Sequence, residues 1–395
     1  MKHFKHSLFL LFSFFLFIAG GFAQSVKTQL ASATQRLLDD AQMRNASISF
    51  YVADANTGDL VYEHDGNRGL SPASSQKIFT TIASVETLGD DYTCKTLIGY
   101  KGDIADGVLK GDLIVQGYGD PTLGSWRFDG FKPGDVKSKI LSTLATAGIR
   151  AIDGNIIIDE SKWGFNPTPG GWPWDDMGNY YGAGDWGINW NENQVNLTLH
   201  PGSSAGSDVS IIKIDPQLQD VKIVNRASAG SAGSGDDSRL FTAPYSPFAY
   251  LDATIPACKN LMITGSMPNP PKQFGYELKK WLGEKDIYCT GEIKTAADFI
   301  LKDKSVPRMT TTLTTLSSPQ LHDMVFHFLR KSINLYGESF AKAIGWQEKK
   351  DASTETGVNL IRRFWSGNGV NNSSLRMIDG SGLSPQNYVT AHAEV

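Results

Sequence analysis

Residues 71–77 read Ser71-Pro72-Ala73-Ser74-Ser75-Gln76-Lys77, and the apolar Phe79, Ile82, Ala83 and Val85 follow before Leu88-Gly89. Ser71 has the chemistry of an N-cap, Pro72 suits the first helical position, and Leu88-Gly89 is a stop signal. The stretch therefore predicts a helix that opens with a serine three residues before a lysine. That spacing puts Ser74 and Lys77 on one face, at the helix end whose free N–H groups favour negative charge. A serine hydroxyl is a poor nucleophile until a base takes its proton, and a desolvated lysine is such a base. Serine three residues before lysine is common by chance, so the context carries the weight. The motif follows two predicted strands, Ser47–Asp54 and Asp59–His64, joined by a turn at Asn56-Thr57-Gly58. Before them, Val26–Asn45 reads as an amphipathic helix with Leu30, Leu37, Leu38 and Ala41 on one side.

Downstream the texture changes. From about Thr93 to Val306, short β-like runs such as Gly107–Gly117, Gly154–Asp159, Val195–Leu199 and Val209–Ile214 are separated by Gly, Asp, Pro and Ser. A loop dense in Trp and Tyr fills Trp163–Trp190, and Ser228–Asp237 reads as a surface loop. Helical texture returns near Ser317, with Ser318 as N-cap, Pro319 after it, and Leu321, Met324, Val325, Phe328 and Leu329 on one face. A break at Lys331–Asn334 leads into a second helix, to Gly345, and a third covers about Thr354–Trp365. The order predicts one α/β domain interrupted by an insertion of about 200 residues.

Two further motifs carry chemistry. Ser332-Ile333-Asn334 falls at the break between two helices, where a hydroxyl and a carboxamide two apart can both point into a cleft. The serine suits proton transfer to a leaving amine. The asparagine suits holding a substrate amide or a lysine, although an asparagine in such a turn is often only a cap. Asp379-Gly380-Ser381-Gly382-Leu383-Ser384 is a sharp turn, either purely structural or part of a site.

Composition narrows the class. The chain has 395 residues, enough for two or three domains of roughly 100–200 residues each. It is 41% hydrophobic, 20% charged and 11% aromatic, which excludes a disordered, collagenous or polytopic membrane protein. The net charge of −4 speaks against a nucleic-acid surface. Residues 1–23 read as a signal peptide: Lys2 and Lys5, then apolar Leu8–Ala19, then small residues at Gly21-Phe22-Ala23. The apolar run is shorter than the roughly 20 residues of a membrane span. Its removal leaves 35 basic and 41 acidic residues, a net −6. In an oxidising compartment Cys258 and Cys289 are candidates for a bridge that leaves Cys94 free, a pairing that spacing alone does not decide. The seven histidines form no HExxH or HxH pattern, and neither a metal nor another cofactor is implied.

Taken together these residues resemble the penicillin-binding serine peptidases, whose motifs are SxxK, SxN and KTG. The similarity is greatest to the D-alanyl-D-alanine carboxypeptidase/endopeptidase family, the class C low-molecular-mass penicillin-binding proteins. Ser-Ser-Gln-Lys at 74–77, the Ser332-Ile333-Asn334 turn and the turn from Asp379 match in order. So do Gly111–Ser125, Gly154–Gly164 and Gly171–Ala183 inside the insertion. Ile333 stands where SDN has an aspartate, a middle position at which the family varies.

The resemblance implies an α/β (α+β) penicillin-binding/β-lactamase-like transpeptidase domain with a long β-rich insertion between SxxK and SxN. Residues 24–92 and 307–395 would form the peptidase domain and 93–306 the inserted domain or domains. Ser74 would be the acylated nucleophile and Lys77 its base, with Ser332 and Asn334 completing proton transfer and substrate positioning. The Ser74 N–H would be half of an oxyanion hole, each donor of which is worth about 3–4 kcal/mol. Asp176 would meet the ammonium of the substrate's diaminopimelate side chain, and Trp172, Trp174, Trp186 and Trp190 would lie near the groove or in the core. The implied activity is an exported, periplasmic serine DD-peptidase. It would cut D-Ala-D-Ala, or D-Ala-diaminopimelate cross-links, of peptidoglycan stem peptides through an acyl-enzyme, and β-lactams would inhibit it. Membrane association would be peripheral at most.

The third motif, KTG, is expected after Ser384 and does not occur before Val395; Lys95-Thr96-Leu97 and Lys294-Thr295-Ala296 lack its glycine. The C-terminal strands of the fold are therefore expected to be missing from these 395 residues, with loss of activity or of folding. The alternative is a non-catalytic peptidoglycan-binding homologue lacking the KTG strand. An α/β-hydrolase reading rests on Gly202-Ser203-Ser204-Ala205-Gly206, which lies between two β-like runs instead of at the strand-to-helix elbow that motif needs. A β-lactamase does not normally carry 254 residues between Lys77 and Ser332.

Overall fold

The computed structural model describes residues 25–395; the signal peptide read at 1–23 lies outside the described residues. The chain divides into two compact units, residues up to Leu70 with Val389–Val395, and Ser71–Tyr388.

In the first unit, Ser25 caps helix α1 (Val26–Leu38) by accepting from the Thr28 N–H. The helix stops seven residues short of the expected Asn45. Asp40 accepts the Gln42 N–H and starts a separate 3₁₀ turn, Ala41–Met43, since a short acidic side chain competes with helical bonding. Strands β1 (Phe50–Ala53) and β2 (Leu60–His64) form the expected antiparallel hairpin. Asp54 Oδ1 accepts from both Asn56 and Thr57 N–H, so the turn is closed by a side chain. Strand β3 (Gly69–Leu70) pairs antiparallel with Val389 and Thr390.

The second unit opens with a 3₁₀ turn, Ala73–Gln76, that runs into helix α2 (Lys77–Leu88). Its N-cap is Pro72, not Ser71, and no side chain caps it. Gly89 ends it at φ +88°, a region open to glycine. Next come the hairpin β4 (Lys95–Ala105) and β5 (Val108–Gly117), helix α3 (Pro133–Thr146), β6 (Ala151–Asp153) and β7 (Ile156–Asp159). β7 runs parallel to β5, and Ile156, Ile157 and Ile158 are fully buried, as in a strand covered on both faces.

Strands β8 (Gln194–Pro201), β9 (Val209–Asp215) and β14 (Leu261–Ser266) form an antiparallel sheet in the order β14-β8-β9. A second sheet gathers β10 (Lys222–Asn225), β11 (Ser228–Gly230) and β12 (Asp237–Phe241) on β13 (Phe248–Pro256). The expected loop at Ser228–Asp237 therefore contains β11 and the first residue of β12. Only its centre stays an exposed turn. Gly202–Gly206 is the hairpin loop between β8 and β9, so it is no nucleophile elbow.

Helix α4 (Pro270–Gly283) precedes β15 (Tyr288–Cys289), β16 (Ile293–Thr295) and β17 (Thr311–Ser317), which join β4–β7 in a seven-stranded sheet. Val136, Ile140 and Leu144 of α3 and Phe274, Leu278 and Leu282 of α4 share one core with Leu113, Val115, Ile156 and Ile158. Both helices fall in the stretch read from sequence as β-rich.

The C-terminal part carries α5 (Leu321–Lys331), α6 (Asn334–Lys349) and α7 (Thr354–Gly367). Ser318 is not the cap of α5. Gln320 takes that place, and the Ser318 hydroxyl accepts the Cys94 N–H and donates to the Pro319 carbonyl. Helix α6 runs four residues past Gly345. It is buried without interruption from Asn334 to Gly345 and packs against α2, α5 and α7. All three cysteines are free thiols, so the candidate Cys258–Cys289 bridge is not formed. Cys258 Sγ instead faces the Ser203 carbonyl and Cys289 Sγ the Gly154 carbonyl, each at 3.2 Å.

Candidate active site

Four sequence-predicted residues meet at one point. Ser74 is exposed on the 3₁₀ turn that leads into α2, and Lys77, the first residue of α2, lies three residues on and only 2% exposed. Lys77 Nζ is 3.0 Å from Ser74 Oγ, 2.7 Å from Asn334 Oδ1 and 2.7 Å from the Ser381 carbonyl. Ser332 Oγ donates to Ser74 Oγ at 2.7 Å. Ser332 sits at the C-cap of α5 in the left-handed region, φ 54°, ψ 43°, which reverses the chain so that Asn334 can begin α6. The break between two helices is thus what brings the hydroxyl and the carboxamide to the same lysine. Asn334 spends its other end on the Tyr181 carbonyl, which accepts from Nδ2 at 2.9 Å.

The turn at 379–384 forms the third wall. Asp379 is fully buried and its carboxylate accepts five hydrogen bonds. Gln76 Nε2, the Gly382 N–H and Asn387 Nδ2 reach Oδ1, while Trp172 Nε1 and the Ser384 N–H reach Oδ2. Packing here is backbone against backbone. A Cβ on Gly382, at φ +88°, would fall 1.9 Å from the Ala73 carbonyl, and one on Gly380 would fall 2.2 Å from the Gly337 carbonyl. Ala73 itself has φ +49°, a conformation that costs a residue with a Cβ about 1–2 kcal/mol. It is the residue immediately before Ser74.

Burial pulls Lys77 down to about 8, against the charges of Glu338 and Asp379, which raise it. Two of its three donor directions are taken by the Asn334 and Ser381 oxygens, which can only accept. In the neutral amine those two N–H bonds stay, and the lone pair is left facing Ser74 Oγ. The arrangement can therefore accept the proton of the Ser74 hydroxyl. Ser332 holds a second exchangeable proton at the same oxygen. Among the described residues no group of three or more His, Cys, Asp or Glu is placed to hold a metal ion.

Asp176 lies on a single helical turn, Trp174–Met177, and is half-buried. Its Oδ1 accepts from the Tyr181 hydroxyl at 3.0 Å, so one residue links it to Asn334. It lines a cleft of about 530 Å³ together with Asp175, Tyr180, Tyr181 and Arg239. Of the tryptophans, Trp172 is buried against Asp379, Trp186 and Trp190 are core residues, and Trp174 is exposed and stacks on Phe241. The sequence reading missed Tyr181, which bridges Asp176 and Asn334, and Gln76, which donates to both the carbonyl and the carboxylate of Asp379. It also missed Glu338, whose Oε2 accepts the Gly380 N–H at 3.0 Å. Glu338 was legible as a charge four residues after Asn334, on the same helical face.

A family model described as D-Ala-D-Ala carboxypeptidase 3 (S13) matches residues 29–394. A D-alanyl-D-alanine carboxypeptidase from an Actinomadura species is 25% identical over 93% of this chain and 67% of its own length. The D-alanyl-D-alanine carboxypeptidase DacB of Haemophilus influenzae is 22% identical over 95% of this chain and 74% of its own. In structure, penicillin binding protein 4 from Haemophilus influenzae aligns with a TM-score of 0.73 at 20% identity, covering 86% of this chain and 72% of that one. That likeness carries the expected penicillin-binding-protein type of α/β fold. With nearly its whole described length matched and the expected motifs gathered around Ser74, this chain belongs to the D-Ala-D-Ala carboxypeptidase 3 (S13) family.

Proposed function

We propose that the protein is an exported serine DD-peptidase that hydrolyses D-Ala-D-Ala ends, or D-Ala-diaminopimelate cross-links, of peptidoglycan. The observation that carries this reading is the meeting at Ser74 Oγ: a buried lysine nitrogen at 3.0 Å and a second hydroxyl at 2.7 Å. Lys77 takes the Ser74 proton as the oxygen attacks the carbonyl carbon. Ser332 passes a proton to the departing amine, and water later releases the acyl group. Asn334 holds Lys77, and the Ser74 N–H is one donor of the oxyanion hole. Asp176, in the lining of its cleft, takes the ammonium end of the diaminopimelate side chain, a pairing of opposite charges. In this reading residues 24–92 and 307–395 are the peptidase domain and 93–306 the insertion, which delivers Asp176 and Tyr181 to the site. β-Lactams enter as acylating analogues of the peptide, and the N-terminal signal directs the chain to the periplasm.

The test is a fluorescent penicillin, followed by intact mass. An adduct on the chain that disappears with Ser74→Ala supports the reading. A folded chain that stays unlabelled would favour a peptidoglycan-binding homologue without catalysis.

A further inference from the structure

Of the buried acids the mechanism above does not use, Glu338 lies beside the reacting lysine. Glu338 is 0% exposed and sits one helical turn beyond Asn334 on the face of α6 that touches Lys77. Its Oε2 accepts the Gly380 N–H at 3.0 Å, and the next residue, Ser381, offers the carbonyl that holds Lys77 Nζ. The Gly380 carbonyl accepts from Thr80 Oγ1, one turn past Lys77, so this short turn is clamped between α2 and α6. The other carboxylate oxygen, Oε1, and the buried Ser381 Oγ make no well-aligned hydrogen bond among the described residues, although the Ser381 side chain is near enough to Glu338 to favour its charged form in part. An ionised carboxylate buried this completely beside Asp379 is costly, and a group so placed keeps its proton to higher pH.

We propose that Glu338 is a positioning residue for the reaction: it anchors the Gly380–Ser381 turn against Lys77, and its state of charge sets how readily Lys77 gives up a proton. The inference rests on the reading of Lys77 as the base. With Glu338 ionised, the ammonium of Lys77 is held charged. With Glu338 protonated, neutral Lys77 is favoured and its lone pair is free for Ser74. The charged groups that bear on this pair are few. Lys77 comes from α2, Asp379 from the adjoining turn, and Lys342 from α6 itself. Burial and the Asp379 charge push Glu338 up to about 8, beside a Lys77 pulled down to about 8. Two opposite groups titrating in one pH range share protons and do not titrate independently.

Glu338→Gln removes the charge and keeps an oxygen for the Gly380 N–H. The readout is the Lys77 Cε resonance in ¹³C-lysine-labelled full-length chain, assigned with Lys77→Arg and followed across pH. This needs no acylation, so it stands apart from the penicillin test of the function. Lys77 should deprotonate at a pH lower by roughly one unit in Glu338→Gln, the shift expected on losing one nearby opposite charge. If that chain is also acylated by penicillin, the acid limb of the rate should move down with it. A Lys77 midpoint that does not move overturns the proposal and leaves Glu338 a purely structural anchor. Should Glu338→Gln not fold, the carboxyl ¹³C of Glu338 in the wild-type chain decides. Titration in the same range as Lys77 supports the coupling, and titration near the ordinary carboxylate value overturns it.

Discussion

Lys77 and Lys342 are both buried, at 2% and 1% exposure, and burial lowers the proton affinity of both. Their surroundings differ in one respect that decides what each can do. Lys77 Nζ points at a hydroxyl, Ser74 Oγ, which has a proton to give. Lys342 Nζ, two turns past Asn334 on the same helix, meets the Asp185 and Asn166 carbonyls at 2.7 and 3.2 Å and the Asp185 carboxylate at 3.8 Å. None of those partners can donate. Asp185 is itself fully buried, held by Trp163 Nε1 and Asn189 Nδ2. Lys342 is therefore a counter-ion that ties α6 to the Trp-rich loop, and Lys77 is the lysine placed to act as the base of the proposed reaction. Burial is common to both lysines; a partner with a proton to give is present only at Lys77.

The contrast breaks most sharply at Lys77 itself. Lys77→Met should slow penicillin acylation of Ser74 by about 10²–10⁴-fold, the worth of a positioned general base. The same change should shift urea unfolding by no more than about 1 kcal/mol, because losing a buried charge offsets the lost hydrogen bonds. Equal loss of stability at both lysines would erase the distinction. Lys342→Met should cost about 3–5 kcal/mol in urea unfolding, since it strands the Asp185 carboxylate, and Lys342→Met with Asp185→Asn should recover part of that.

The pH dependence of stability sharpens the comparison. Lys77 has a folded pKa of about 8, below its ordinary 10.5. Between these values the unfolded chain holds more protons, so this contribution to stability rises as pH climbs from 8 to 10.5. Glu338 is raised from 4.5 to about 8. Between those values the folded chain holds the extra proton, so its contribution is whole below 4.5 and is lost as pH rises through 8. Asp185, Asp120 and Glu160 are raised too, which makes the difference between wild type and Glu338→Gln the useful quantity. Relative to the variant, wild type should lose about 1.4 kcal/mol of stability per pH unit in urea unfolding between pH 4.5 and 8, up to about 5 kcal/mol in all. The smallest effect is expected at Ser332, whose φ of 54° suits glycine. Ser332→Gly should leave stability unchanged or raise it by up to about 1 kcal/mol. Acylation should fall about 10²-fold, the lower end of what a positioned proton donor is worth.

Much of this site was legible because it is written in short motifs. Ser74 and Lys77 are three apart on a helix, and Ser332 and Asn334 flank a helix break, so local geometry already aims each pair one way. Local errors have local causes. Ser71 and Ser318 looked like caps, but Pro72 and Gln320 hold those positions, and the Ser318 hydroxyl serves Cys94 instead. Helices α3 and α4 were missed although their signals are present. Val136, Ile140 and Leu144 recur every fourth residue, and Asn269 before Pro270-Pro271 is a strong start whose side chain accepts the Lys272 N–H. The glycine-rich texture around them hid a period of 3.6 under one of 2.

What the amino-acid sequence determined on its own is the chemistry on offer: a serine with a lysine beneath it, a Ser–x–Asn turn, and a glycine-rich turn that only residues without side chains can pack. Backbone rules over three to six residues suffice for that. Which of these groups touch was decided by tertiary structure. Asn334 lies 257 positions from the lysine it contacts, and Ser381 lies 304 away. Asp379 found Trp172 across 207 residues of chain. The proton affinity of Lys77 belongs to the same category. It depends on how much water the fold excludes and on which carboxylates, Glu338 and Asp379, are folded beside it, and no local pattern records either.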